Sequence, residues 1–219
     1  MLKLSQVKSG LILFSMKEIL NFLIKVGELK GKQRRGWEMH QIKNSETTAE
    51  HIFHLAILSW FLGKREKLNL ERVIKLALIH DLCEVYCADL TPYDPLLPKD
   101  KKKAMEILKK WPDFTPELKI KKEKEKLELE NKAVKKLVAK LPKYLRVEIR
   151  NLWLDFCEGK TREGRFVKQA DKIANFLQGI EYWKKYGKIQ HRLWTRWIKE
   201  IIDDPVLIRF IKEIEKKFY

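Results

Sequence analysis

The chain is short of residues that break helices. Nine glycines and seven prolines in 219 residues leave little material for a many-turned β architecture and favour long helices. Cysteine is scarce and odd in number: Cys83, Cys87 and Cys157 describe no disulfide framework, so a reducing compartment is expected. Cys83 and Cys87 stand four apart and could share one side of a helix, but they read as small buried hydrophobes rather than a metal pair. No apolar run approaches the roughly 20 residues that cross a bilayer. The run Gly10-Leu-Ile-Leu-Phe14 is too short for a signal-peptide core and precedes no cleavage pattern. A cytoplasmic protein without membrane contact is expected. Asparagine and glutamine are sparse beside lysine and glutamate, a balance typical of thermophilic proteins. Negative charge is also in deficit, with 47 Lys+Arg against 30 Asp+Glu and a net charge of +17. Such an excess gathers anions, whether nucleic acid, acidic lipid or phosphorylated small molecules. The densest lysine stretch, Lys99 to Lys143, alternates with glutamate and reads as a solvated helix face laced with ion pairs.

What is present is helical periodicity. With 45% hydrophobic and 35% charged residues, the chain is neither disordered nor membranous. No linker divides it, so residues 1–219 are expected to form one all-α domain. A first helix is predicted over about 15–29 with Ile19, Leu20, Leu23 and Val26 inward. A basic loop follows, Lys30-Gly-Lys-Gln-Arg-Arg-Gly-Trp37. The capping box Thr47-Thr-Ala-Glu50 announces the next helix. Its apolar residues fall in two stripes, one through Ile52, Phe53, Trp60 and Phe61, the other through Leu55, Leu58 and Leu62, so it should be central. A third helix is predicted over 70–86, ended by the Pro-bearing loop 89–98. Further helices are expected at 99–111, 116–140, 143–158 and 162–186, with one or two from 192 onward. Trp153, Trp183, Trp194 and Trp197 are expected to pack internally or at a dimer contact.

Two of the five histidines stand in unusual surroundings. His51 opens a mostly apolar helix, and His80-Asp81 ends the apolar run Val73-Ile-Lys-Leu-Ala-Leu-Ile79. Burying an ionisable pair without partners costs several kcal/mol, so a mate or a metal should neutralise it. Helical neighbours project about 100° apart, which lets 80 and 81 straddle an ion but not bond each other. Glu84 follows one turn later, and Asp171 lies among apolar Val167, Ala170 and Ala174.

With these residues in place the sequence resembles the HD-domain phosphohydrolases, in particular their 5′-deoxynucleotidase-like branch. The matching segments are Arg34-Arg-Gly-Trp37, Glu46-Thr-Thr-Ala-Glu-His51, Leu76-Ala-Leu-Ile-His-Asp81-Leu-Cys-Glu84, Asp89-Leu90 and Phe166-Val-Lys-Gln-Ala-Asp-Lys172, in a core of about 15–185. The lysine-rich insertion, about 99–140, and the tail, about 190–219, lie outside it. The resemblance implies an HD helical bundle of about seven or eight helices. It implies that His51, His80, Asp81 and Asp171 hold one divalent cation, such as Mn²⁺, Co²⁺, Fe²⁺ or Mg²⁺. Relatives with two metals use extra histidines between the dipeptide and the last Asp, and none occurs here from 82 to 170. Asp81 and Glu84 are then the catalytic pair, with Glu84 handling protons. Arg34 or Arg35 would bind the phosphate, Trp37 would flank the nucleotide or pack, and Asp89 would contact the sugar. Ala88 and Cys87 replace the Gly and Thr or Val usual before that Asp, which loosens the sugar contact. His54 reads as a core histidine or one behind the ligands, and Lys168, Gln169 and Lys172 as surface groups.

The expected activity is removal of the 5′-phosphate from (deoxy)nucleoside monophosphates, by a homodimer as is common in the family. Two alternatives remain open. One is an HD phosphohydrolase acting on nucleoside triphosphates, cyclic nucleotides or alarmone. The other is a basic nucleic-acid-binding or regulatory helical protein with a structural HD site, against which stands the lack of a recognised nucleic-acid-binding module.

Overall fold

Helix boundaries follow the capping residues. In the computed structural model, which describes residues 16–87, 89, 91, 97, 98, 100–109 and 115–219, ten α-helices are present among the described residues. They are α1 (Met16–Gly27), α2 (Arg35–Met39), α3 (Thr48–Arg65), α4 (Leu70–Ile79), α5 (Lys101–Lys109), α6 (Pro116–Val138), α7 (Lys143–Glu158), α8 (Arg162–Tyr186), α9 (His191–Ile201) and α10 (Pro205–Phe218). The Thr47 hydroxyl accepts from Glu50 N while Glu50 accepts from Thr47 N, completing the capping box of α3. Asn69, Thr115, Thr161 and Asp204 cap α4, α6, α8 and α10 in the same way. Each supplies an acceptor to an N–H that has no partner within its helix. Gly159 and Gly187 end α7 and α8 at φ +62° and +66°, where a side chain would be strained. No strand forms among the described residues; one isolated bridge joins Gln33 to Thr47. No helix among them is long and apolar enough to cross a membrane.

The centre is α8, packed against α3, α4, α7, α9 and α10. Val167, Ala170, Ile173 and Phe176 of α8 are fully buried against Leu55, Val73, Leu76 and Ala77. Sequestering each large aliphatic group contributes roughly 1.5–3 kcal/mol. Ile198, Leu207, Ile211 and Ile214 of α9 and α10 belong to the same cluster, so the tail is part of the core. Helix α6 is split along its length. Its first half carries the solvated Lys/Glu face, including Lys122–Glu125 at 2.7 Å. Its last turns bury Ala133, Val134, Leu137 and Val138.

The structure departs from the sequence reading in several places. The helix expected over 70–86 ends at Ile79. Asp81 takes φ −107°, ψ 11°, and a separate 3-10 turn covers Leu82–Val85. Asp81 therefore leaves the helical 100° relation, and its Oδ2 lies 3.0 Å from His80 Nε2, a contact that regular helix would not permit. Helix α3, expected to be central on both apolar stripes, is buried on one side and exposed on the other. His51, Ile52, Leu55, Leu58 and Ser59 face inward, whereas Phe53, Trp60 and Phe61 are 68%, 42% and 61% exposed. Three neighbouring helices, α4, α8 and α10, contact α3 and leave the aromatic stripe uncovered. In α1, Leu20 and Leu23 are exposed while Phe22 and Val26 meet the core. The short α2 was not expected within the basic loop. Ala88, Leu90 and residues 92–96 and 110–114 lie outside the described residues, and with them the expected Ala88 effect and most of the proline loop.

Candidate metal and phosphate site

Three helices deliver the ligand-type side chains to one buried point. The capping box fixes the first turn of α3 and turns His51 inward. His80 closes α4, and its Nδ1 lies 2.8 Å from the Ala77 carbonyl. That carbonyl can only accept, so Nδ1 carries the proton and the neutral ring keeps its lone pair on Nε2. Asp171 projects from the middle of α8, with Oδ1 2.9 Å from His51 Nε2. One ligand atom each from His51, His80 and Asp171 falls within 4.8 Å of the others. Asp81 lies outside that set. Its Oδ2 is 3.0 Å from His80 Nε2, but out of line for a hydrogen bond, and it is drawn to Arg34 instead.

Arg34 links the rest. Its Nη1 donates to Asp81 Oδ2 at 2.5 Å and lies 3.5 Å from Glu84 Oε1. Its Nε is 3.8 Å from Asp89 Oδ2, and its Nη2 donates to Asn175 Oδ1 at 3.2 Å. Asn175 in turn donates to Asp171 Oδ1 at 3.0 Å, closing a ring from the guanidinium back to the ligand cluster. Among the described residues the half-exposed Arg35 guanidinium lies 3.5 Å from Glu38, and its backbone N–H donates to Asp89 Oδ2 at 3.0 Å. Glu84 is buried and accepts from the Thr48 hydroxyl at 2.8 Å. The 3-10 turn that presents it is held by Lys32 Nζ, which donates to the carbonyls of Glu84 and Cys87. Trp37 is buried, stacked on Trp194 and edge-on to Tyr182, and its Nε1 donates to Glu46 Oε1 at 2.8 Å. That same carboxylate oxygen stands 3.9 Å from His51 Nδ1. His54 is half-buried on α3, and Lys172 pairs with Asp171 Oδ2 at 2.7 Å.

Glu46, Thr48, Asn175 and Lys32 were not singled out by role in the sequence. Asn175 left one trace, a polar residue within the apolar run Ile173-Ala174-Asn175-Phe176, one turn beyond Asp171. Glu46 precedes the capping box and Thr48 lies within it, and nothing local marks the partners they meet in the fold.

Charge is divided unevenly across the site. Burial lowers His51 to about 4, with Arg34 adding to the effect. Burial also pulls on His80, but Asp81 outweighs it and raises the imidazole above its ordinary value. Burial alone would raise Asp81 and Asp171. The charges of His80 and Arg34 hold the first low, while Lys172 and His51 hold the second low. Glu84 goes the other way: burial first, then the charges of Asp81 and Asp89, push it up to about 10. Burial likewise pushes Glu46 up to about 7.

These features suit a cation. With Nδ1 protonated toward Ala77, a neutral His80 would set its Nε2 lone pair against an ionised Asp81 oxygen at 3.0 Å, which is repulsive unless positive charge lies between them. Metal–ligand bonds of about 2.0–2.2 Å place neighbouring donors roughly 3–4 Å apart, the range that His51–Asp171 and His80–Asp81 occupy. Two imidazoles with carboxylates suit a borderline or hard divalent ion.

The HD domain family profile matches residues 26–201. A 5′-deoxynucleotidase HDDC2 of Xenopus laevis is 30% identical over 177 residues, 80% of this chain and 75% of that protein. The Homo sapiens protein of the same name is 28% identical over 202 residues, 91% of this chain and 85% of its own length. Among solved structures, a conserved hypothetical protein from Pyrococcus furiosus superposes with a TM-score of 0.62 at 23% identity, covering 90% of this chain and 99% of that one. The profile match over residues 26–201, well over half of the chain, makes the chain a member of the HD-domain family.

Proposed function

We propose that the protein is a metal-dependent phosphomonoester hydrolase that removes the 5′-phosphate from deoxynucleoside monophosphates. The observation that carries the reading is the meeting of His51, His80 and Asp171 from three separate helices beside an Arg34 that already grips acidic oxygens. The relatives' name, 5′-deoxynucleotidase, supports the substrate class. In this reading His51, His80, Asp81 and Asp171 hold one divalent cation. When bound, it would acidify a water and withdraw charge from a phosphoryl oxygen.

The chain's own groups do the rest. Arg34 exchanges part of its hold on Asp81 and Glu84 for two phosphate oxygens, which its planar fork fits. Arg35 lies too far out for that role. Glu84, protonated near neutral pH by its surroundings, gives its proton to the departing 5′-oxygen as the oxygen of a water adds to phosphorus and the P–O bond to the sugar breaks. Asp89, anchored by the Arg35 backbone N–H and near Arg34, is placed to accept from a sugar hydroxyl. Trp37 acts by packing: its ring is enclosed by Tyr182 and Trp194 and supports Glu46 next to His51. Homodimer formation is part of the proposal, supported by the uncovered stripe of Phe53, Trp60 and Phe61; light scattering at graded concentrations tests it.

The test of activity is phosphate release from a panel of deoxynucleoside and ribonucleoside 5′-monophosphates, 3′-monophosphates, triphosphates, cyclic nucleotides and alarmone, with Mn²⁺, Co²⁺ or Mg²⁺. Turnover of dAMP or dTMP is expected, with the other classes inert. Asp81→Ala should lose both metal and turnover, and Glu84→Ala should retain metal but turn over poorly. A wild-type protein that takes up no divalent ion, or hydrolyses none of the panel, would end this reading.

A further inference from the structure

We propose that Asn175 is a positioning residue that ties the Arg34 guanidinium to Asp171, so that one amide aims the cation at the phosphate and the carboxylate at the metal. The inference rests on the phosphohydrolase reading above. It extends that reading to a residue past Phe166–Lys172, the last segment that carries the family resemblance.

Asn175 stands one helical turn after Asp171 on α8, so the two side chains share a face. Its Nδ2 donates to Asp171 Oδ1 and to the Asp171 carbonyl, each at 3.0 Å. Its Oδ1 accepts from Arg34 Nη2 at 3.2 Å. These partners fix which way round the amide sits. Turned over, its oxygen would face two acceptors and its NH2 a guanidinium that can only donate. The ion pairs of Arg34 are with carboxylates: Asp81 Oδ2 at 2.5 Å, Glu84 Oε1 at 3.5 Å and Asp89 Oδ2 at 3.8 Å.

An amide suits this junction where other side chains fail. It holds Nη2 through a neutral oxygen, so the guanidinium is oriented without giving up more charge to an anion. It also gives Asp171 a donor. Aspartate could not donate to Asp171 and would add a carboxylate to the three already around Arg34. Leucine would fill similar space and do neither. A planar fork meets two phosphate oxygens well only if its plane is set beforehand. Asp81 holds that plane at Nη1 and Asn175 holds it at Nη2. When the phosphate draws Arg34 from Asp81 and Glu84, Asn175 is the contact that stays.

The test uses the full chain as wild type, Asn175→Leu, Asn175→Ala, Asn175→Gln, Arg34→Gln and the Asn175→Leu, Arg34→Gln double variant. Calorimetry reads the Kd of Mn²⁺ and of inorganic phosphate, beside the thermal midpoint and steady-state kinetics with a deoxynucleoside monophosphate. Leu and Ala should raise the Mn²⁺ Kd about tenfold, the usual scale for losing a partner behind a metal ligand. They should also raise the phosphate Kd, and KM at saturating Mn²⁺, roughly tenfold, the scale of one charge-assisted hydrogen bond. Gln keeps both amide ends on a longer stem and should recover part of each loss. With Arg34→Gln already present, Asn175→Leu should shift the phosphate Kd by less than about twofold while still weakening Mn²⁺, because the guanidinium it aimed is gone. Leu and Ala variants that leave either Kd at its wild-type value would overturn the proposal. So would a phosphate loss of equal size with and without Arg34, or losses that follow a lowered thermal midpoint with no recovery in Gln. A wild-type protein that binds Mn²⁺ and phosphate but hydrolyses no nucleotide sinks the parent reading instead, and the two affinities still decide the place of Asn175. The Ala variant covers a Leu variant that fails to fold.

Discussion

Two glycines in helices should respond to alanine with opposite signs, and the reason can be read atom by atom. At Gly164, in the first turn of α8, an added Cβ would stand 2.6 Å from Asp155 Oδ1, 2.7 Å from its Cγ and 2.8 Å from its carbonyl oxygen. Asp155 has nowhere to go. Its Oδ1 accepts from Thr161 N at 2.9 Å, and its Oδ2 from Thr161 Oγ1 and Arg72 Nη2, both at 2.5 Å. Its carbonyl accepts from Gly159 N at 2.7 Å to close α7. Room for the methyl comes only by parting α7 from α8 or surrendering bonds to a buried carboxylate. Overpacking costs about 1–3 kcal/mol, and each lost bond to a charged group about 1.5–3 kcal/mol. Arg72 counts for less because water can replace Asp155 at its partly exposed end. Set against these is a helix-propensity gain of about 1 kcal/mol. Gly164→Ala should therefore destabilise by roughly 2–4 kcal/mol, a fall of about 5–15 °C in Tm for a chain of this size. At Gly63, by contrast, the new methyl would meet Val73, Phe166 and Leu68 carbons at 3.5–3.7 Å, which is ordinary contact. Gly63→Ala should raise Tm by roughly 2–4 °C. Scanning calorimetry of both variants decides the matter. A Gly164→Ala protein as stable as wild type, or two shifts of the same sign, would refute the reasoning.

Three further outcomes are expected. Mn²⁺ at about one hundred times its Kd should stabilise the protein by about 2.7 kcal/mol, or roughly 5–11 °C, reversed by chelator and absent in Asp81→Ala; calorimetry with and without chelator reads this. His40 is buried and lowered to about 4 by desolvation, so the unfolded chain binds its proton more readily than the fold does. Its contribution to stability is intact above about pH 6.5 and drains as pH falls toward 4, by about 1.4 kcal/mol per unit; urea unfolding across that window should be visibly shallower in pH for His40→Gln. Arg34→Lys keeps the charge but loses the fork, so KM for the monophosphate should rise about tenfold, whereas Arg35→Lys should change it little.

Local rules were legible in the sequence, and long-range choices were not. The Thr47–Glu50 capping box depends on residues within one turn, and the structure has it where the pattern puts it. The end of α4 at Ile79 was not legible. Nothing in Ile79-His-Asp-Leu82 forbids helix, and the break comes with Arg34, 47 positions upstream, drawing Asp81 outward. The two apolar stripes of α3 were both hydrophobic enough to be the inner one; which faces inward is decided by α4, α8 and α10. At the site, His51, the 80–81 pair and Asp171 stood out as polar residues in apolar surroundings. Glu46, Thr48 and Asn175 act through partners distant in sequence, and only folding pairs them. The position of Arg34 against Arg35 was likewise open until α2 turned one guanidinium inward and the other to solvent.

The stack of Trp194 on Trp37 has a mechanical implication. Trp194 comes from α9 and also sits 3.2 Å from where a Cβ on Gly179 would be, so the ring is wedged between α8 and the indole that grips Glu46. A polypeptide cut back before α9 would keep every candidate ligand yet lose the brace behind His51. The tail thereby becomes a tensioning element, through which a change some 140 residues downstream in sequence can slacken the hold on His51 without touching it.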